Sequence, residues 1–96
     1  MKVVADLCIV PMGVGPSVSS YVREIKAIID ARPLNAEMHA NGTNIEGELA
    51  DICQLIEQCE ARLSEMGVQR VFFTMAFSSR RDKDQSMADK LRVVSD

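Results

Sequence analysis

The strongest constraint on how this chain folds is a direct join, near its middle, between an alternating segment and a patterned helix. Polar Asn44, Glu46 and Glu48 fall on one side of a predicted strand over 43–48, with Ile45 on the other. The helix that follows repeats apolar residues at alternating intervals of three and four, at Leu49, Ile52, Ile56, Cys59, Leu63 and Met66. An acidic row on such a strand is explained by solvation, by the basic groups of a partner, or by a polar or cationic ligand.

The remaining elements are predicted from apolar periodicity and from turn residues. Pro11 closes a β-branched first strand, and a first helix begins at an N-cap, Ser17 or Gly15, and ends before Pro33. Asn41-Gly42 predicts a hairpin turn, Gly67 a helix C-cap, and Ser86 with Asp89 a capping box. The predicted strands cover 3–10, 35–40, 43–48 and 71–78, and the predicted helices cover 17–32, 49–66 and 86–94.

This order of elements predicts one α+β domain over residues 1–96, a ferredoxin-like βαββαβ sandwich with a short C-terminal helix. Two helices then cover one face of a four-stranded antiparallel sheet, and the other face stays bare in a monomer. Both alternating sets of the first and last strands are largely apolar, so either choice of face leaves an apolar remainder. We therefore expect a homo-oligomer, with sheets of two copies packed about 10 Å apart.

Composition narrows the classes of partner. The net charge of −3 argues against a nucleic-acid surface, which needs a clustered basic footprint. The sequence has no long apolar run and no signal-peptide pattern, so we expect a cytoplasmic protein without a membrane segment. Cys8, Cys53 and Cys59 lack paired spacing, which favours reduced, mostly buried thiols.

Residue spacing predicts no catalytic constellation, no metal site and no cofactor motif. The single histidine, His39, lies beside the hairpin turn, and spacing supplies no carboxylate or nucleophile to work with it. Ser17 and Ser19 stand at a helix start, where they either cap the helix or hold an anion. Asp6 is a lone carboxylate in an apolar strand, so it needs an oligomer partner, solvent or a ligand.

Several motifs together resemble a family of small cytosolic thiamine-binding proteins, and the similarity covers nearly the whole chain. The matching segments are Val10-Pro11-Met12-Gly13, the run from Ser17 through Ser19-Ser20-Tyr21-Val22, Gly42-Thr43, Ile45-Glu46-Gly47-Glu48, Arg70-Val71 and Arg80-Arg81-Asp82. The resemblance implies a ferredoxin-like fold, a tetramer made by packing the sheets of dimers, and non-enzymatic binding of thiamine or hydroxymethylpyrimidine.

On that resemblance, the ligand-binding residues are expected among Asp6, Ser17, Ser19, Tyr21, Thr43, Glu46 and Phe72. Thiamine carries a cationic thiazolium ring and an aminopyrimidine. The Glu46 carboxylate could accept from the amino group, and Asp6 could balance the positive charge. Phe72 or Tyr21 could pack against a ring, a contact that contributes roughly 0.5–2 kcal/mol.

Two other classes of function stay open at this point. Ferredoxin-like dimers also host small cofactor-independent oxygenases and isomerases, which here would use His39, Asp6 or Tyr21 as acid or base. The chain could instead be an assembly module whose bare sheet face binds a protein.

Overall fold

The computed structural model describes residues 1–95, and its elements follow the predicted order. They are β1 (Lys2–Met12), α1 (Ser19–Asp30), β2 (Asn35–His39), β3 (Gly42–Glu48), α2 (Leu49–Glu65), β4 (Arg70–Ser78) and α3 (Met87–Ser95). All strand pairs are antiparallel, in the order β2-β3-β1-β4. The predicted ferredoxin-like α+β fold is therefore confirmed.

The core lies between this sheet and helices α1 and α2. Alternation along β1 turns Val3, Ala5 and Leu7 toward the helices, and α2 meets them with one face at helical spacing. The side chains with almost no exposed surface are Leu7, Ile45, Ile52, Leu55, Leu63, Val3 and Cys59. Each fully buried large aliphatic side chain contributes about 1.5–3 kcal/mol, so this shared face holds the sandwich together.

The start of α1 differs from the prediction. The helix begins at Ser19 with Val18 at the N-cap position, and no side chain caps it, so both predicted caps, Ser17 and Gly15, are wrong. Gly13 and Gly15 both have positive φ, 71° and 87°, and turn the chain ahead of the helix. The first turn is closed by backbone, with the Val22 N–H donating to the Val18 carbonyl at 3.0 Å.

Strand β1 runs past the proline that was expected to end it. Pro11 is buried and pairs with Val71 of β4, but β3 pairs with β1 only from Lys2 to Leu7. A strand tolerates proline where the edge that lacks the N–H donor has no neighbouring strand to hydrogen-bond. The extra length of β1 beyond β3 shapes the candidate site described below.

The short C-terminal helix α3 begins at the predicted capping box. The Ser86 N–H donates to Asp89 Oδ2 and the Asp89 N–H donates to Ser86 Oγ, both at 3.1 Å. The Met87 N–H donates to Glu46 Oε2 at 2.7 Å, which anchors the start of α3 to β3. Beyond this first turn, Leu91 and Val94 are 57% and 79% exposed.

The bare face of the sheet divides into an apolar half and a polar half. Val10, Met12 and Phe72 are exposed together where β1 and β4 run on alone. Asp6 and Glu46 lie on the other half with the rest of the acidic row. The apolar remainder predicted for this face is therefore present, and its large exposed side chains lie at the end where β1 and β4 extend beyond β3.

Candidate functional site

The candidate site is a notch at the place where the β2–β3 hairpin stops short of the end of β1. Pairing between β1 and β3 ends at Leu7 and Thr43, whereas pairing between β1 and β4 continues to Met12. Along Cys8–Met12, the edge of β1 that would meet a longer β3 therefore has no strand partner. Backbone groups on such an edge are strong donors and acceptors that need a partner or water.

The space is bounded by the hairpin, by the free edge of β1 and by helix α1, and we call it the notch. Its volume is about 240 Å³. The polar side chains in its lining are His39, Asn41 and Thr43, all from the hairpin. The apolar walls are formed by Leu7, Ile9, Val22, Ile25 and Met38. Mostly apolar walls with a few placed polar groups are typical of small-molecule sites.

His39 is fixed by two hydrogen bonds, one to each ring nitrogen. The Asn41 N–H donates to His39 Nδ1 at 3.3 Å, and His39 Nε2 lies 2.8 Å from Asp6 Oδ1. Because Nδ1 accepts, the ring carries its proton on Nε2 and donates it to the Asp6 carboxylate. Both ring nitrogens of His39 are therefore engaged within the chain, and the ring holds the shape of the hairpin.

Gly42 makes the contact between His39 and Asp6 possible. A Cβ atom at this position would lie 2.8 Å from the Leu7 carbonyl oxygen, 3.1 Å from Asp6 Oδ1 and 3.2 Å from His39 Cε1. Any side chain here would therefore push apart the strands and the histidine–carboxylate pair. The glycine of the hairpin signal Asn41-Gly42 is needed for close approach as well as for the turn.

Four of the predicted site residues lie on the helix side of the sheet, on β3, on α1 or in the loop before α1. Thr43 is 4% exposed and forms part of the lining. Ser19 lies one helical turn before the lining residue Val22, on the same side of α1. Tyr21 is half-buried against the core, and Ser17 is exposed in the loop ahead of the helix.

The other three predicted residues lie on the bare face, where the sheet separates them from the interior of the notch. Asp6 contacts the notch only through His39. Glu46 accepts from the Asn35 side-chain amide and from the Met87 N–H, so both of its oxygens are engaged within the chain. Phe72 is opposite Val10, four residues along β1 from Asp6 and so about 13 Å away. The seven residues do not form one site in a single chain.

Sequence reasoning missed the main lining residues of the notch. His39 was expected to lack a carboxylate partner, but antiparallel pairing places Asp6 beside it although 33 residues separate them. The helical spacing assigned Val22 and Ile25 to the core face of α1. Both are apolar, and both also form part of the wall of the notch. The available signal was the mismatch in strand length, because β1 and β4 are longer than the two strands of the hairpin.

Within residues 1–95, no group of three or more His, Cys, Asp or Glu side chains is placed to hold a metal ion. No helix in the same range is both long enough and apolar enough to cross a membrane.

Comparison with known structures gives the same fold at high similarity. A crystal structure of a hypothetical protein from Methanocaldococcus jannaschii aligns with a TM-score of 0.88 and 32% identity, covering 98% of this chain and 96% of that one. A Thermotoga maritima protein, described as a candidate thiamine biosynthesis/salvage protein, aligns with a TM-score of 0.80. That alignment covers 98% of this chain and 99% of the other, and at 17% identity it supports the fold alone.

Comparison with known sequences identifies the family. A UPF0045 protein of Synechocystis is 37% identical over 94 residues, covering 98% of this chain and 78% of the relative. The UPF0045 protein ECM15 of Eremothecium gossypii is 38% identical over 95 residues, covering 98% and 90%. The profile of the family described as thiamine-binding protein matches residues 5–95. The resemblance inferred from the motifs is confirmed, and the chain belongs to the thiamine-binding protein family.

Proposed function

We propose that this protein binds thiamine or a related pyrimidine such as hydroxymethylpyrimidine in the notch, without catalysing a reaction. The binding would serve storage, sensing or delivery of the ligand. The observation that carries the proposal is the unpaired edge of β1 inside an apolar cleft of about 240 Å³. Membership of the thiamine-binding family supports the same class of ligand.

The chemistry of an aminopyrimidine suits this edge. The ring presents an amino donor next to a ring-nitrogen acceptor, and a strand edge presents carbonyl acceptors and N–H donors along Cys8–Met12. The flat ring would lie between the apolar side chains of Val22 and Met38. The Thr43 hydroxyl, in the wall of the notch, can donate or accept.

A cationic thiazolium is also compatible with the charges near the notch. Asp6 lies directly behind His39, and the chain as a whole carries a net charge of −3. Asp6 would thus act at a distance, through His39 and the local field, and not as a direct ligand. The engagement of both His39 nitrogens supports binding over acid–base catalysis.

We further propose that the functional form is a homo-oligomer, a tetramer built as a dimer of dimers through the bare sheet faces. Val10, Met12 and Phe72 leave an exposed apolar area on that face, and α3 exposes Leu91 and Val94. Exposed apolar patches of this kind are typical of interaction surfaces. The Phe72 side chain, which is far from the notch of its own chain, would then be used for assembly.

Calorimetric titration with thiamine and with hydroxymethylpyrimidine tests the notch. Val22→Arg places a long cationic side chain into the notch and should abolish measurable binding of both compounds. Thr43→Val keeps the shape but removes the hydroxyl, and should weaken binding about tenfold, as expected for one lost hydrogen bond of about 1.4 kcal/mol.

Val18→Arg is the matched control. Val18 is 37% exposed and Val22 is 36% exposed, both near the start of α1, but Val18 lies outside the lining. This control should bind as the unmodified protein does. Equal affinity of the Val22→Arg and Val18→Arg proteins for thiamine would rule out the notch as the site.

A further inference from the structure

A second cleft lies at the opposite end of the sheet, where β1 begins and β4 ends. Four cationic side chains line it, and we call it the basic cleft: Lys2, Arg80, Lys83 and Lys90. Ser78 and Ser79 add hydroxyl groups to the same lining. Its volume is only about 20 Å³, which is enough for about one water molecule or one oxygen atom of a larger anion, and not for an aromatic ring.

The cations of the basic cleft come from three parts of the chain. Lys2 is on β1, Arg80 and Lys83 are in the loop between β4 and α3, and Lys90 is on α3. The fold brings Lys2 to three cations that lie almost 80 residues or more away in sequence. The chain as a whole carries a net charge of −3, so four cations in one place are unexpected. Like charges repel, and a cluster of cations is therefore unfavourable unless negative charge lies beside it.

Carboxylates within the chain neutralise only part of this charge. Lys2 Nζ lies 3.6 Å from Asp84 Oδ1, a loose contact with a carboxylate that is 91% exposed. Arg80 makes a two-pronged pair with Asp82, with Nε donating to Oδ1 at 2.9 Å, and this hydrogen bonding lowers the pKa of Asp82 to about 2. Within residues 1–95, Lys83 and Lys90 form no salt bridge.

We propose that the basic cleft binds a phosphoryl group, either inorganic phosphate or the phosphate of a monoester. A phosphate carries close to two negative charges and several acceptor oxygens near neutral pH. It would be met by the free ammonium groups of Lys83 and Lys90, with hydroxyl donors from Ser78 and Ser79. Phosphate would displace the Asp84 carboxylate from Lys2, because that contact is long and phosphate carries more negative charge.

This site is distinct from the notch, and its ligand is a separate molecule. Lys2 and Cys8 lie six residues apart on the same strand, a separation of about 20 Å. A single thiamine-sized molecule cannot span that distance within one chain. The proposal therefore stands or falls independently of the pyrimidine site.

Titration of ¹⁵N-labelled protein with inorganic phosphate, against chloride at matched ionic strength, tests the proposal. Amide signals of residues 78–85 should shift and saturate with phosphate and not with chloride. The double variant Lys83→Met and Lys90→Met should weaken phosphate binding about five- to tenfold, as expected for two exposed charge contacts. Phenyl phosphate should saturate the same signals, because only its phosphoryl group needs to enter.

Arg81→Gln is the control, since it removes a positive charge from the same loop but lies outside the lining of the basic cleft. It should change the affinity for phosphate less than twofold, and both variants should keep the affinity of the notch for thiamine. Phosphate shifts that rise linearly without saturation would overturn the proposal. So would an equal loss of affinity in Arg81→Gln and in the double lysine variant.

Discussion

At the scale of single residues, the three cysteines differ widely in their exposure to solvent. Cys59 is fully buried on the core side of α2, and burial raises its pKa to about 11 because the thiolate would lose its solvation, with Arg32 partly opposing the rise. Cys53, on the same helix, is exposed, and Cys8 is half-buried on β1. The expectation of mostly buried thiols is thus wrong for Cys53, which is offset from the apolar stripe of α2.

A thiol-reactive dye at pH 8 should therefore label the native protein unevenly. Cys53 should react fast, and Cys59 should react only after unfolding, because the thiolate is the reactive form and the Cys59 thiol is both buried and protonated. Cys53→Ser is the control and should remove the fast phase. Persistence of a fast phase in that variant would assign it to another thiol.

At the scale of elements, the length of each strand decides where the site lies. β3 covers Gly42–Glu48 and β1 covers Lys2–Met12, so the hairpin cannot pair with the whole of β1 and leaves the notch. The existence and order of these elements were predictable from periodicity and turn residues. Their pairing register was not, since it depends on contacts between residues far apart in sequence.

Gly42→Ala should destabilise the protein by about 1–3 kcal/mol and lower the affinity of the notch for its ligand. The new methyl group would press on the Leu7 carbonyl and on the His39–Asp6 pair, and overpacking at rigid backbone is costly. Denaturant unfolding measures the first effect and calorimetry the second.

Gly67→Ala provides the comparison for this glycine. Gly67 has φ of 87° and open space around its Cβ position. Its substitution should cost about 1 kcal/mol through backbone conformation alone and leave ligand affinity unchanged. If Gly42→Ala and Gly67→Ala lose the same stability and both keep the ligand affinity, the close contact at Gly42 does not maintain the shape of the notch.

At the scale of the whole molecule, the shape of the single chain is consistent with the proposed assembly. The molecule measures 43 × 27 × 21 Å with a radius of gyration of 14.4 Å, against about 12.5 Å for a compact domain of this length. The helix α3 is anchored by its first turn and exposes the apolar residues that follow. An elongated chain with an exposed apolar helix and half of a bare sheet face has surface to bury against further copies.

Phe72→Glu should dissociate the proposed oligomer. Phe72 is 55% exposed at the centre of the apolar half of the sheet face, and a charge buried there on assembly would be costly. Sedimentation should then show a folded particle of 10.6 kDa, the mass of one chain. Ala61→Glu, on the solvent side of α2, should leave the assembly intact, and a monomeric unmodified protein would contradict the proposal at once.

The sequence by itself determined the elements, their order, the family and most of the core face of α2, where it missed Leu55, because these depend on local periodicity and on short motifs. Only the tertiary structure decided that Asp6 meets His39 across Gly42, that Glu46 is used to anchor α3, and that Lys2 shares one cleft with Arg80, Lys83 and Lys90. The physical reason is the same in each case. Strand register and helix placement bring together side chains separated by tens of residues, and no local pattern encodes the distance between them.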